Sequence, residues 1–118
     1  MQVKTYKDLI VWQKSMELAT LIYNLTKEFP RDEVYGLSSQ IKRAVIAIPS
    51  NIAEGQRRKG TKEFIQFLHI SYGSGAELET QLELAKRLSF GNLNSYTVIE
   101  NLLNEIMRML NKLIYSLH

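Results

Sequence analysis

The sequence contains no cysteine, and this absence excludes a disulfide framework, cysteine–zinc sites, iron–sulfur clusters and thiol catalysis. Proline and glycine are scarce, with two and six residues, whereas all-β chains usually need more turn-forming residues. No apolar run approaches the roughly 20 residues that a membrane-spanning helix requires. The N-terminus also lacks an apolar segment followed by a small-residue cleavage site, the signature of a secretion signal. These absences predict a cytoplasmic protein that does not associate with membranes.

The residues that are present are typical of one soluble globular domain. The chain has 118 residues, of which 45% are hydrophobic and 23% are charged. A chain of this length buries about two-thirds of its unfolded surface, so its core needs no covalent or metal staple. The net charge is +3 and the isoelectric point lies near 9.2, which permits an acidic partner without requiring one. We predict a single domain over residues 1–118.

Histidine is nearly absent as well, and this bears on catalysis. The two histidines are His69 and the terminal His118. Four-helix bundles with di-metal centres carry Glu three residues before a metal-binding histidine, but Gln66 stands three residues before His69. The sequence contains no phosphate loop, dinucleotide-binding fingerprint or nucleophile elbow. We therefore predict no catalytic residues, no metal, no cofactor and no enzymatic activity.

Apolar residues recur at spacings of three and four along four stretches, as the buried face of a helix requires. The clearest stretch is the last, which contains Tyr96, Ile99, Leu103, Ile106, Leu110, Leu113 and Leu117. Asn94 or Ser95 is the expected N-cap of that helix. Pro30, residues 55–60 and Gly91 interrupt the pattern, and such short links make neighbouring helices antiparallel. We predict an all-α, up-down-up-down four-helix bundle with helices at about 8–27, 33–56, 61–88 and 95–117.

The first predicted helix has more apolar surface than one buried seam uses. The seam consists of Leu9, Trp12, Met16, Ala19 and Tyr23, and a second apolar face holds Val11, Leu18, Ile22 and Leu25. An outer helix of a monomeric bundle normally needs a single apolar stripe. We expect part of this surface to contact another subunit. The alternative is that the helix lies deep between its neighbours.

The second predicted helix contains a proline and a polar stripe. Pro49 removes the N–H that would bond the Val45 carbonyl, so we expect a kink or a short break. The stripe opposite the apolar seam consists of Gln40, Arg43, Ala47, Asn51, Glu54 and Arg58. One interpretation is a solvated face with an intrahelical Glu54–Arg58 pair. The other is a polar network buried between subunits, where Asn51 and Glu54 must find partners.

Small residues cluster in the middle of the third predicted helix. They are Ser71, Gly73, Ser74, Gly75 and Ala76. A glycine inside a helix costs about 1 kcal/mol relative to alanine, so the cluster needs a reason. Ser71 and Gly75 lie on the apolar seam, which favours the close approach of a neighbouring helix over a pocket for a small ligand.

Basic residues are concentrated in the turn between the second and third predicted helices. Arg57, Arg58, Lys59 and Lys62 fall within six residues. Lysine and arginine supply the sequence-independent part of nucleic-acid binding, so these four residues are candidate phosphate contacts. No aromatic residues are interleaved with them for base stacking. The alternative is an ordinary solvated turn.

Several motifs resemble one bacterial family along nearly the whole chain. They lie at residues 9–14, 35–40, 48–55, 62–64 and 77–82, and the most specific reads Ile48-Pro49-Ser50-Asn51-Ile52-Ala53-Glu54-Gly55. The chain resembles the four-helix-bundle family of 23S rRNA-intervening-sequence proteins, also called the S23 family. The resemblance implies a small cytoplasmic bundle without catalytic residues, and some genes of the family lie within insertions in 23S rRNA genes.

The resemblance also implies candidate partners. A distant relative is the accessory variability protein of diversity-generating retroelements, a basic pentameric bundle that associates with a reverse transcriptase and nucleic acid. We therefore predict a non-catalytic homo-oligomer, with five subunits as the best number, that binds RNA or a ribonucleoprotein or reverse-transcriptase partner. The alternative is a structural or protein-interaction module with no nucleic-acid role. The candidate interface or motif residues are Gln40, Arg43, Pro49, Asn51, Glu54 and Gly55.

Overall fold

The computed structural model describes residues 4–118, which form four α-helices and two short 3-10 helices. The α-helices are α1 (Ile10–Thr26), α2 (Leu37–Arg57), α3 (Thr61–Arg87) and α4 (Leu93–Leu117). The 3-10 helices are Tyr6–Asp8 and Arg31–Glu33. Each α-helix packs against its neighbours in chain order, α1 closes the bundle against α4, and residues 4–118 contain no strand. The predicted all-α four-helix bundle is confirmed, with dimensions of 43 × 24 × 20 Å.

Helices α2, α3 and α4 bury most of the apolar positions that their spacing predicts. Ile48 of α2, Leu78 of α3 and Ile106 of α4 are completely buried. Tyr96 is also buried, and its hydroxyl donates a hydrogen bond of 2.7 Å to the Phe90 carbonyl. Burial raises the pKa of Tyr96 to about 12. The helical period of these three segments therefore determines which faces form the core.

Helix α1 buries its second apolar face, while the predicted seam is only partly buried, with Leu9, Trp12 and Ala19 packed against the core. Leu18 and Ile22 are completely buried, whereas Met16 is 44% and Tyr23 is 38% exposed. The predicted seam was only partly right because Ser15 interrupts the apolar pattern of the more deeply buried face. The Ser15 hydroxyl donates a hydrogen bond of 2.6 Å to the Val11 carbonyl, so this polar side chain is buried without losing its partner.

Three local predictions about helix ends and breaks are corrected. Helix α2 begins at Leu37 because the Glu33 carboxylate accepts a hydrogen bond from the Leu37 N–H, 3.1 Å away, after a separate 3-10 turn. The helix then continues through the buried Pro49 to Arg57, so the predicted break is absent. The N-cap of α4 is Asn92, whose side chain accepts a hydrogen bond from the Asn94 N–H.

Small residues bring α2 and α3 close together. Gly55 lies within α2, and a Cβ atom there would come within 2.6 Å of the Phe67 Cβ. The Ser71 hydroxyl of α3 donates a buried hydrogen bond of 2.9 Å to the Ile48 carbonyl of α2. On the next seam, the space beside Gly75 is filled by the Met107 side chain of α4. These distances support close packing as the reason for Ser71 and Gly75, but not for Gly73, where a Cβ atom would meet nothing within 4 Å.

Candidate nucleic-acid interface

The predicted basic turn joins α2 to α3, and its four cationic side chains are exposed. Two of the four have partners within the protein. Arg58 lies 3.5 Å from the Glu54 carboxylate, 3.6 Å from the Glu63 carboxylate and 5.2 Å from the centre of the Phe67 ring. Arg57 lies over another aromatic ring. The intrahelical Glu54–Arg58 pair that the spacing predicts is therefore present.

The N-terminal segment belongs to the same surface, although the sequence pattern did not predict it. The Arg57 guanidinium lies 5.4 Å from the centre of the Tyr6 ring, and that ring packs edge-on against Trp12 at 5.2 Å. Asp8 and Thr5 form a capping box around this turn, and the Asp8 carboxylate accepts hydrogen bonds from the N–H groups of Lys4 and Thr5. Lys4 and Lys7 are thereby held beside the α2–α3 turn.

The cations of these two segments define a surface that we call the basic end. Its members are Lys4, Lys7, Arg57, Arg58, Lys59 and Lys62. Three acidic residues lie among them, namely Asp8, Glu54 and Glu63, so the net charge of the basic end is +3. The other nine basic residues of the chain are matched by nine acidic ones. The whole formal excess of positive charge therefore lies at one end of the bundle.

At the opposite end of the bundle, Lys86 and Arg87 are paired with carboxylates, whereas the exposed Lys27 and Arg31 form no ion pair among residues 4–118. Lys86 lies 2.9 Å from the Glu100 carboxylate, and this hydrogen bond raises the pKa of Lys86. Arg87 lies 2.9 Å from the Glu83 carboxylate, and this hydrogen bond lowers the pKa of Glu83. At the basic end, none of the four lysines forms an ion pair within residues 4–118. Those lysines remain available to an anionic ligand.

The six candidate interface residues divide between the surface and the core. Gln40 and Arg43 are exposed, as is Glu54, and Asn51 is half-buried with its amide donating to the Ala47 carbonyl at 2.8 Å. Pro49 and Gly55 are buried instead. Gln40 and Arg43 line an open groove of about 390 Å³ between α2 and α3. The other lining residues are Tyr35, Ser39, Glu77 and Gln81. Within one chain the exposed members of the stripe face solvent, and their burial between subunits stays a prediction.

Uncovered apolar side chains follow the outer surface of α1. Ile10 is 58% exposed, and Met16 and Tyr23 are also exposed. The exposed Ile46 of α2 lies one helical turn from Lys42, whose ammonium is 5.2 Å from the Tyr23 ring centre. Among the four α-helices, α1 packs on α2 and α4 alone, so it does not lie deep between its neighbours. Its excess apolar surface faces outward.

Residues 4–118 contain no cluster typical of a metal centre. No group of three or more His, Asp or Glu side chains in this range is arranged to hold a metal ion. His69 is exposed on α3. In addition, no helix of this part of the chain is both long and apolar enough to cross a membrane.

The sequence model of one family, described as 23S rRNA-intervening sequence protein, matches residues 7–112. The chain belongs to this family. A crystal structure from Bacteroides thetaiotaomicron, described as a protein with unknown function from the S23 ribosomal protein family, has the same fold with a TM-score of 0.82. That protein is 32% identical, and the match covers 89% of this chain and 98% of that one. No curated protein matches the chain significantly. The family of 23S rRNA-intervening sequence proteins is thus one of unknown function, and nothing indicates catalysis.

Proposed function

We propose that this member of the family is a non-catalytic module that binds RNA, alone or within a ribonucleoprotein, through its basic end. The observation that carries the proposal is the segregation of charge: the entire net charge of +3 lies at one end, and the lysines there lack internal partners among residues 4–118. Phosphates are the ligands that such a surface attracts, and the attraction does not depend on base sequence. The family's description supports RNA as the first ligand to test.

The test is a titration of labelled RNA at several salt concentrations. We expect binding at low salt that weakens steeply as salt rises, because each phosphate contact releases condensed counterions. The double variant Lys59→Gln/Lys62→Gln should weaken binding and reduce the slope of log K against log salt by about 1 for each lysine.

A matched control removes two cations from the other end. Lys27→Gln/Arg31→Gln changes the net charge equally at exposed positions near the start of α2. We expect this control to bind RNA almost as the native protein does. Equal weakening by both double variants, or no binding at low salt, would overturn the proposal.

We also propose that the chain forms a homo-oligomer, with a ring of five as the best number from the resemblance to the retroelement protein. The uncovered apolar side chains of α1 support association, since a surface of this kind is stabilised by contact with another subunit. A ring would repeat the basic end around one rim and bind a polyanion at several points at once. Light scattering at micromolar concentration is the test. A mass near 13.7 kDa would contradict the oligomer.

The second candidate function is a protein-interaction module with no nucleic-acid role. The apolar surface of α1 favours it, because the same side chains could receive another protein. The RNA titration separates the two functions, since this alternative predicts no salt-dependent RNA binding by a correctly folded and assembled protein.

A further inference from the structure

The last two turns of α4 carry a surface of a different composition from the basic end. Arg108, Asn111, Lys112, Tyr115 and Ser116 line an open depression of about 500 Å³. The Tyr115 side chain is 82% exposed. Arg108 and Lys112 precede it by seven and three residues, so all three project from one side of the helix.

No carboxylate neutralises these cations in the described part of the chain. Glu105 is the nearest acidic residue along α4, and it lies 3.1 Å from the Lys14 ammonium instead. Asp8 faces the same region from the N-terminal segment, but its carboxylate accepts hydrogen bonds from the backbone of that segment. The depression therefore combines a free aromatic face with two cations.

A largely apolar groove lies between this surface and the N-terminal segment of the basic end. Lys112 and Asp8 line the two sides of this groove between α4 and the start of α1, and the other lining residues are Leu9, Ile10, Val11, Met109, Leu113 and Ser116. Asp8 closes the same short 3-10 helix that Tyr6 opens, and the Tyr6 ring lies beside Arg57 of the α2–α3 turn. A strand of nucleic acid crossing the basic end would thus pass from the turn, over the N-terminal segment, to Tyr115.

An exposed aromatic ring beside cations discriminates between single and paired strands. Bases stack on aromatic rings only when their faces are free, whereas the bases of a duplex are already stacked on one another. The aromatic rings Tyr6 and Phe67 at the basic end are covered by arginine guanidiniums. Tyr115 is the ring in this region whose face remains open.

We propose that the ligand of the basic end is single-stranded, that one unpaired base stacks on Tyr115, and that Arg108 and Lys112 contact the adjoining phosphates. This inference rests on the proposed RNA-binding function and deepens it. The base need not be of one kind, because every base has a π-face and stacking tolerates any sequence. Charge contacts and base stacking contribute separately to the affinity for RNA, so each can be tested by its own substitution.

The experiment measures the affinity of a labelled 12-nucleotide single-stranded RNA and of a duplex of the same length. Tyr115→Ala should weaken binding of the single strand roughly 5- to 100-fold, whereas Tyr115→Phe should bind as the native protein does. Neither change should alter the salt dependence, because stacking releases no counterions. Lys112→Gln should instead reduce the salt slope by about 0.7, the value for one contact to a single strand.

The matched control is Tyr35→Ala. Tyr35 is 97% exposed in the turn just before α2, at the opposite end of the bundle, and its removal should leave RNA affinity unchanged. If the native protein binds RNA and Tyr115→Ala binds the single strand equally well, the stacking inference is wrong and the proposed function stands. If Tyr115→Ala weakens duplex and single strand equally, the inference is also wrong. Absence of any binding by the native protein would overturn both.

Discussion

Helices α2 and α3 touch through small residues, whereas α1 meets its neighbours through large side chains and leaves others uncovered. Gly55 and Ser71 let side chains of α3 reach the backbone of α2. On α1, Leu18 and Ile22 fill the core while Met16 remains on the surface. The α2–α3 contact therefore depends on how closely the two backbones approach each other. The packing of α1 depends on which of its two apolar faces contacts the neighbouring helices. The two arrangements respond differently to substitution.

The largest effect is expected where α1 enters the core. Ile22→Ala should lower the free energy of unfolding by about 2–5 kcal/mol, because it truncates a completely buried side chain and leaves a cavity in its place. Met16→Ala, on the face first predicted to be buried, should change it by no more than about 0.5 kcal/mol. Denaturant unfolding of both variants measures the difference. Equal losses at the two positions would contradict the assignment of the α1 core face.

The α2–α3 contact should be broken by a single methyl group. Gly55→Ala places a Cβ atom within 2.6 Å of the Phe67 Cβ, which is too close to the backbone of α3 to move aside. We expect a loss of about 1–3 kcal/mol in unfolding free energy, despite the better helix propensity of alanine. Thermal and denaturant unfolding provide the measurement.

The control for this variant is Gly73→Ala on the same helix pair. A Cβ atom at Gly73 meets nothing within 4 Å, so only helix propensity changes. This variant should be more stable than the native protein by up to about 1 kcal/mol. If Gly55→Ala were more stable than the native protein, the prediction for that position would be wrong, and α2 and α3 would be free to separate slightly.

A small effect on stability is expected at Pro49. Pro49→Ala restores a backbone N–H for the Val45 carbonyl but removes a buried ring, so the bundle should stay folded and gain about 1 kcal/mol at most. We expect its main consequence in assembly or partner binding. Light scattering measures the effect on assembly, and thermal unfolding measures the effect on stability. A large loss of stability with an unchanged mass would count against this expectation.

The sequence predicted most of the fold because three helices carry a single apolar seam. It was only partly right on α1, where the core face includes the polar Ser15, and Met16 and Tyr23 of the predicted seam face outward. No periodicity reveals that the Ser15 hydroxyl bonds its own helix or that the Tyr23 ring lies under a lysine. The choice between the two faces depends on neighbouring helices, which a local pattern does not describe.

The candidate site was predicted in part. The cluster at residues 57–62 was evident from composition, but Lys4 and Lys7 join it only through the contact between Tyr6 and Arg57, which are distant in sequence. The spacing of Thr5 and Asp8 matches a capping box and would have predicted an ordered turn there. For Tyr115, the helical spacing from Arg108 and Lys112 was a usable signal in the sequence.

The short link between α2 and α3 has a consequence for how the chain folds. Only residues 58–60 separate the two helices that approach each other most closely. Closing so short a loop costs little chain entropy, and the packing that it allows is local in sequence. We expect this helical hairpin to form first, with α1 and α4 docking onto it afterwards. Substitutions at Gly55 should then slow folding, whereas those at Ile22 should mainly accelerate unfolding.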